Sequence, residues 1–452
     1  MAHSYTLCGV IALAGWLFAA GVLAAGTPED VKPAGEDRFR FSAVVETEGA
    51  YGIAHDRANK LEFLIDPQLE YRFSEDTRFT AIARLYAEGF DHLEPGQLGQ
   101  REIASNSRRV LLGDRTDMEL RELYLSTQLG KAHLTLGKQQ VVWGRADGLK
   151  VLDVVNPQDF REFILDDYDD SRIPLWTVNL EVPIKDITAQ LLWIPDTTTH
   201  RIADEGSAYE ITAGLPFRPP GLELVIQDAD RPNRFFEDSD VGLKLSGFLG
   251  GWDLSLNYLY HYDDFPALER RIRLLALPPQ IVVEPTYDRT HLIGATFANA
   301  FGDLTLRGEF GYSVGKLYST DAILDPDGLV DSDEFAYVLG FDWFGFKDTF
   351  VSFQLFQSIL TDTPDKIVRD QVDTNVTFSV KRSFRNDTIH LENIWIHNIN
   401  HQDGLVRPKI KYDVRDNVSV WAGIDYFYGS EKGIFGQFDR RDRFAVGVEI
   451  GF

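Results

Sequence analysis

The chain has 452 residues and a formal net charge of −25. Such an acidic composition lacks the Lys and Arg clusters that nucleic-acid phosphates require, so a nucleic-acid-binding function is excluded. No apolar run after the first 25 residues is long enough for a transmembrane helix, and no linker divides the chain into separate soluble domains.

Residues 1–25 predict a secretory signal peptide. They combine an apolar centre with small residues at 22–26, which offer two cleavage sites. No Lys or Arg precedes the apolar run, so a membrane anchor is the alternative interpretation. Cys8 is the only cysteine, and its removal with the signal peptide would leave a mature protein without disulfides. Residues 26–36 then form a short N-terminal segment.

From residue 37 to residue 452, apolar and polar residues alternate with a period of two, which predicts strands with two different faces. There are about 18 such runs, joined in turn by tight connections such as Gly250-Gly251 and by long polar ones. This pattern is typical of a transmembrane antiparallel β-barrel, in which closure leaves no unpaired backbone edge in lipid. The predicted fold class is therefore all-β, a single outer-membrane barrel with both chain ends on the periplasmic side.

The individual strands support this prediction. At 304–310, Leu304 and Leu306 would face lipid, whereas Arg307 and Glu309 would point into the lumen. A soluble sandwich or propeller is the alternative. The strands are longer than the soluble average of about 5–6 residues, and no repeat of propeller length is present.

The last strand carries an aromatic pattern that ends at the chain terminus. Five of its residues lie on one face: Phe444, Val446, Val448, Ile450 and Phe452. They resemble the C-terminal signal by which the barrel-assembly machinery recognises outer-membrane proteins. The predicted partners are therefore this machinery and the outer-membrane lipids of a Gram-negative bacterium.

The alternation stops between residues 144 and 173. Asn156 followed by Pro157 predicts the start of a helix, with Asn as N-cap and Pro at the first helical position. Phe160 and Phe163 then fall at helical spacing and give the helix an apolar face to bury. We predict that this partly helical segment folds into the barrel and constricts or plugs it. An external lid is the alternative.

Charged residues of this segment are candidates for the constriction. The candidates are Arg145, Asp147, Lys150, Asp153, Arg161, Glu162 and Arg172, together with Arg307 and Glu309 on the wall. Rings of charge select solutes by sign, but both signs are present and no ion preference follows.

Four acidic residues of the same segment are weak candidates for a Ca²⁺ site, because Ca²⁺ prefers carboxylate oxygens. They are Asp166, Asp167, Asp169 and Asp170. The cluster lacks the glycine and the bidentate glutamate of an EF-hand loop. A solvated or arginine-paired cluster is favoured, and no metal is predicted.

The sequence GKQQVVWG at 137–144, followed by VNP at 155–157, resembles a proteobacterial outer-membrane β-barrel family of unknown function. Members of that family have a G-[RK]-Q-x-V-x-W-G strand end and a V-N-P turn. Arg145 stands where Glu or Ser often follows W-G. The architecture is also loosely similar to the alginate-export porins. Genes of the family often lie near exporters of hydrophobic compounds, which implies lipid-like cargo.

The predicted function is an outer-membrane porin or channel for passive passage of small or oligomeric solutes, gated by the internal segment. The alternative is an outer-membrane component of a trans-envelope system that moves lipid-like or polysaccharide cargo with periplasmic partners. A third hypothesis is a barrel-embedded hydrolase using His390, His397 or His401. No nucleophile motif such as G-x-S-x-G accompanies these histidines, so neither enzyme activity nor a cofactor is predicted.

Overall fold

The computed structural model describes residues 38–90, 92, 99–146, 148–213, 223–320, 322, 325–362 and 367–452. The predicted signal peptide, the segment 26–36 and the candidate Asp147 lie outside these residues.

One sheet dominates the structure. Its 18 long strands are β1 (Phe39–Gly52), β2 (Arg57–Arg72), β3 (Thr77–Glu88), β4 (Thr116–Leu129), β5 (Ala132–Gln139), β6 (Leu175–Ile184), β7 (Ile187–Ile194), β8 (Asp240–Leu249), β9 (Trp252–Tyr262), β10 (Arg289–Phe301), β11 (Leu304–Ser319), β12 (Leu329–Phe346), β13 (Thr349–Leu360), β14 (Val372–Phe384), β15 (Ile389–Asn398), β16 (Asp403–Arg415), β17 (Val418–Tyr428) and β18 (Arg443–Gly451).

The sheet closes on itself. Each strand pairs antiparallel with its neighbours in the chain, and β1 pairs with β18 from Val44 opposite Gly451 to Gly52 opposite Arg443. Closure satisfies the edge N–H and C=O groups that an open sheet would expose. The predicted all-β barrel of about 18 strands is confirmed.

The two faces of the wall differ as the alternation predicts. Leu256 and Ile293, on the outer face of β9 and β10, are 62% and 57% exposed. Asn257, between Leu256 and the next outward residue, is buried on the inner face. A continuous exposed apolar band of this kind is stable only against lipid.

The two ends of the barrel carry different connections. The turn end, which includes Phe39 and Phe452, has connections of two to four residues. The opposite loop end has seven longer connections, among them residues 140–174 and 195–239. The predicted strict alternation of short and long is wrong at residues 53–56 and 399–402, which are as short as the turns although they lie at the loop end.

Small elements occupy the loop-end connections. A three-stranded sheet of Glu223–Ile226, Ala267–Arg273 and Gln280–Thr286 lies there. Val110–Leu111 pairs with β4, and Asp159–Phe160 pairs with Arg201–Ile202. In the described part of the chain, no helix has the length and apolarity needed to cross a membrane.

The predicted helix after Asn156 is wrong. Asp159–Phe160 is a short strand, and the only helical turn among the described residues of the segment is Tyr168–Ser171. The physical reason is that the Asn156 side chain is used elsewhere. Its Oδ1 accepts a hydrogen bond from the Val141 N–H at 2.7 Å, and its Nδ2 donates to the Ile173 carbonyl at 2.9 Å. Asn156 therefore joins the two ends of the segment instead of capping a helix.

Candidate functional site

Residues 144–173, here called the crossing segment, leave the wall where β5 ends. Gln139 is the last residue of β5 and pairs with Leu175, the first of β6. Trp143 then turns into the lumen, where it is 1% exposed and its Nε1 donates to Gln190 Oε1 at 2.8 Å. Gly144 follows because a Cβ there would lie 2.8 Å from the backbone nitrogen of Asp153.

The first half of the crossing segment packs on the inner wall through an apolar cluster, here called the wall anchor. Its buried residues are Val141, Trp143, Val151, Leu152, Val155, Leu175, Leu192, Ile194, Leu259, Leu292 and Val338. Leu152 is 0% exposed and lies against Gly294, where a Cβ would come within 2.4 Å of its side chain. The wall therefore has a glycine where the segment needs room.

Two predicted inward residues hold this half of the segment. The Glu309 carboxylate accepts hydrogen bonds from the backbone N–H groups of Arg145 and Leu152. Arg307 donates to the carbonyl of Arg145, whose side chain in turn pairs with Asp253 at 2.6 Å. Arg307 and Glu309 therefore bind the backbone of the crossing segment rather than standing free in a pore.

The middle of the crossing segment is held by internal ion pairs. Asp153 Oδ2 accepts from Arg172 Nε at 2.9 Å and lies 3.3 Å from Lys150 Nζ. Arg161 pairs with Asp159 at 2.9 Å. Lys150, Asp153, Arg161 and Arg172 thus form ion pairs within the segment.

The far end of the segment reaches the strands that close the barrel. Glu162 contacts Lys60 Nζ on β2 at 2.5 Å and Arg443 Nη1 on β18 at 2.7 Å. All three side chains are buried, and we call them the seam clamp. Burial alone would raise the pKa of Glu162, but the two cations outweigh it and lower the pKa to about 2. Glu162 is therefore an ionised carboxylate between two cations.

A second contact fixes the residues that follow. Arg407 on β16 donates to the carbonyl oxygens of Ile164 at 3.3 Å and Leu165 at 2.6 Å. Phe163 packs against Phe427 and Phe438, with ring centroids 6.2 and 5.0 Å apart. The second half of the segment thus has its own apolar cluster, on the wall opposite the wall anchor.

An outer connection also contacts the segment. His200 Nδ1 accepts a hydrogen bond from the Gln158 N–H at 2.8 Å, and its ring packs edge-on against Phe160. Burial lowers the pKa of His200 to about 3. The ring is therefore neutral and can act as an acceptor.

Two of the four aspartates in the candidate Ca²⁺ cluster pair with arginines. Asp170 pairs with Arg84 on β3 and Asp169 with Arg172. Asp167 is exposed, and burial together with the nearby Glu162 carboxylate raises the pKa of Asp166. Among the residues that the structure describes, no three His, Cys, Asp or Glu side chains form a group that could hold a metal ion.

One large cavity of about 2390 Å³ runs beside the crossing segment. Lys381 and Glu449 line it at the turn end, and Glu210 and Glu431 line it at the loop end. Carboxylates outnumber basic side chains among the described lining residues, 23 against 15. The lumen beside the segment is therefore a continuous, polar and mainly acidic space.

The residues that sequence reasoning missed are the wall partners of the segment, Lys60, Arg407 and Arg443. Each is a basic residue at an inward strand position, and that position was the only available signal. The partner of each lies more than 90 residues away in sequence, so spacing does not reveal the pairing.

The histidines form cross-strand contacts. His390 lies between Ser383 Oγ at 3.0 Å and Asp413 Oδ2 at 2.8 Å. The Ser383 N–H donates to the Asp348 carbonyl and is not available to an oxyanion. His397 lies 3.0 Å from the Tyr428 hydroxyl. These contacts form a polar network across neighbouring strands of the wall.

The closed barrel of 18 strands, with a loop folded into its lumen, is the fold of outer-membrane porins. Solved structures support this class. Acinetobacter baumannii OccAB2 matches with a TM-score of 0.51 and 11% identity over 93% of this chain and 99% of that one. A. baumannii OccAB1 gives 0.52 and 11% over 94% and 98%. Pseudomonas aeruginosa OccK2 (OpdF), in complex with glucuronate, gives 0.51 and 9% over 92% and 98%.

The family assignment comes from the sequence. Residues 76–452 match the family described as "Protein of unknown function (DUF1302)", and the chain belongs to this family. The comparison with curated proteins gave no match.

Proposed function

We propose that the protein is an outer-membrane channel for the diffusion of small solutes and that the crossing segment narrows and gates its lumen. The continuous cavity of about 2390 Å³ from the turn end to the loop end carries this proposal. The apolar outer wall supports a location in the outer membrane of a Gram-negative bacterium, reached by means of the predicted signal peptide. By analogy with other bacterial barrels, the turn end would face the periplasm.

The attachment of the crossing segment supports a narrowing role. The wall anchor holds its first half on one side of the barrel, and the seam clamp holds Glu162 at the closing strands. A segment fixed at both places cannot leave the lumen without breaking buried contacts. Solutes would therefore pass through the part of the cavity that the segment leaves open, which is lined from strands around the barrel, for example by Glu46 on β1, Ser313 on β11 and Asp373 on β14.

Known ligands of similar folds agree with small solutes. The structure of OccK2 contains glucuronate, a small sugar acid. In the present chain, the surplus of carboxylates in the lumen favours uncharged or positively charged solutes at the loop end. The solute preference of this channel would thus differ between its two ends.

Current through the purified protein in planar bilayers tests the proposal. We expect wild-type protein to conduct and a variant lacking residues 147–170 to conduct more. Folding of both would be checked by the shift that heating causes on SDS gels. Absence of current in both folded proteins would refute the channel and favour the trans-envelope alternative. If the deletion variant does not fold, Glu162→Gln replaces it, with the same expected direction.

A further inference from the structure

Two aromatic side chains, Phe344 and Phe350, line a cavity at the turn end of the barrel. Phe344 is 53% exposed, and its ring packs on that of Phe350 with centroids 5.2 Å apart. Phe350 lines both the main cavity and a smaller one of about 480 Å³ at the turn end. Exposed apolar rings inside an aqueous lumen are unfavourable unless a ligand covers them. They therefore mark a candidate binding surface.

A row of charged residues begins directly beside these rings. The strand register places Phe350 opposite Lys381, Lys381 opposite Glu392, and Glu392 opposite Lys409. Residues directly opposite on neighbouring strands are about 5 Å apart, so the four side chains form one line across β13 to β16. All four line the main cavity.

This row has a net positive charge. Among the described residues, no carboxylate oxygen lies within 4 Å of the Lys381 or Lys409 ammonium, whereas Lys411 on the same face pairs with Glu449 at 3.1 Å. Lys409 instead lies over the Trp421 ring at 4.5 Å. Glu392 can neutralise only one of its two lysine neighbours, so one positive charge remains in an otherwise acidic lumen.

We propose that this row and the adjacent rings form a binding site for organic anions that have an apolar body, such as aromatic carboxylates. The carboxylate would lie at Lys381, and the ring would cover Phe344 and Phe350. Lysine supplies a charge-assisted hydrogen bond, and aromatic pairs add attraction beyond burial. Anions reach the site from the turn end. They therefore do not pass the acidic loop end of the lumen, which would repel them. The inference rests on the proposed channel for its role in passage but not for binding itself.

Binding of 4-fluorobenzoate to the full-length protein in detergent, followed by fluorine NMR, tests the site. Fluoroacetate lacks the ring, and 4-fluorobenzylamine reverses the charge. We expect 4-fluorobenzoate to bind more tightly than either. Lys381→Gln should weaken its binding about tenfold, the usual effect of losing one charged hydrogen bond. Phe350→Ala should weaken it as well.

Glu392→Gln should instead tighten binding of 4-fluorobenzoate, because it removes the carboxylate next to Lys381. This gain separates a ligand site from a merely structural row, since damage to the fold would not strengthen binding. Lys347→Gln is the control, as this lysine lies in a turn at the same end with a 92% exposed side chain. Equal affinity for 4-fluorobenzoate and fluoroacetate, or unchanged affinity in Lys381→Gln, would overturn the site.

The same samples separate the two proposals. Binding without any current in planar bilayers would leave the site standing and refute the channel. Current without selective binding would refute the site alone.

Discussion

Glu162 Oε2 accepts a hydrogen bond from Arg443 Nη1 at 2.7 Å, where the last strand of the barrel meets the first. The other carboxylate oxygen lies 2.5 Å from Lys60 Nζ. A residue in the middle of a long connection is therefore bound to both sides of the seam.

Replacing Glu162 with Gln should loosen the crossing segment. The variant leaves Lys60 and Arg443 buried without their shared partner, although Glu48 and Asp425 still contact them. We expect a loss of about 2 kcal/mol, below the 3–5 kcal/mol typical of breaking an isolated buried pair. In planar bilayers the variant should show a larger or noisier current than wild type. Lys347→Gln, which removes an exposed charge from a turn outside the cavity, should leave the current unchanged.

The contribution of Glu162 should depend on pH in a defined window. Its pKa falls from 4.5 to about 2 in the folded protein, so the unfolded state binds the proton more readily. The stabilisation is therefore complete above pH 4.5, declines below it and is lost as the pH falls through 2. The difference in unfolding temperature between wild type and Glu162→Gln should shrink over this range. A difference that stays constant from pH 5 to pH 2 would contradict the assignment.

Truncation of Leu152 tests the wall anchor. Leu152 is 0% exposed, and Leu152→Ala would leave a void beside Gly294. Large-to-small changes of this type cost about 2–5 kcal/mol. Unfolding by urea in detergent should show the loss. Leu275→Ala is a matched control, because this leucine is 99% exposed and its truncation should have no measurable effect. Similar losses for both variants would argue against a specific anchor.

The predicted assembly signal can be tested at the last residue. The backbone of Phe452 exchanges two hydrogen bonds with Ala43, while its side chain is 60% exposed. Phe452→Ala would preserve these backbone bonds. We expect slower assembly in cells with unchanged stability once folded, followed as the fraction that migrates as a compact barrel on unheated gels. Equal assembly rates would remove the terminal aromatic residue from the signal.

The barrel could be predicted from the sequence because the pattern that specifies it, alternation within each strand, is local. Alternation within one strand determines which side chains meet lipid, and two-residue connections such as Gly250-Gly251 fix the register of a hairpin. All 18 strands were found for this reason. The alternation continues past the end of β5 at Gln139, because Val141 and Trp143 keep the period of two while they already pack inside the barrel.

The interior of the crossing segment was less predictable. Asn156 and Pro157 have the local pattern of a helix start, but the Asn156 amide bonds to Val141 and Ile173, at the two ends of the crossing segment. That use depends on Ile173 returning beside Val141, which is a tertiary contact. Likewise, Glu162 was identified as a charged candidate, whereas its partners Lys60 and Arg443 become visible only when the barrel closes.

The position of Glu162 at the seam has a consequence for biogenesis. Arg443 belongs to the last strand, which forms the closing pair with β1, and Lys60 belongs to β2, the other neighbour of β1. A barrel that zipped shut around an empty interior would trap two cations and a space opposite Gly294. Insertion of the internal loop and completion of the cylinder are therefore expected to be coupled. The middle of the newly made chain must enter the lumen before the last strand pairs with the first.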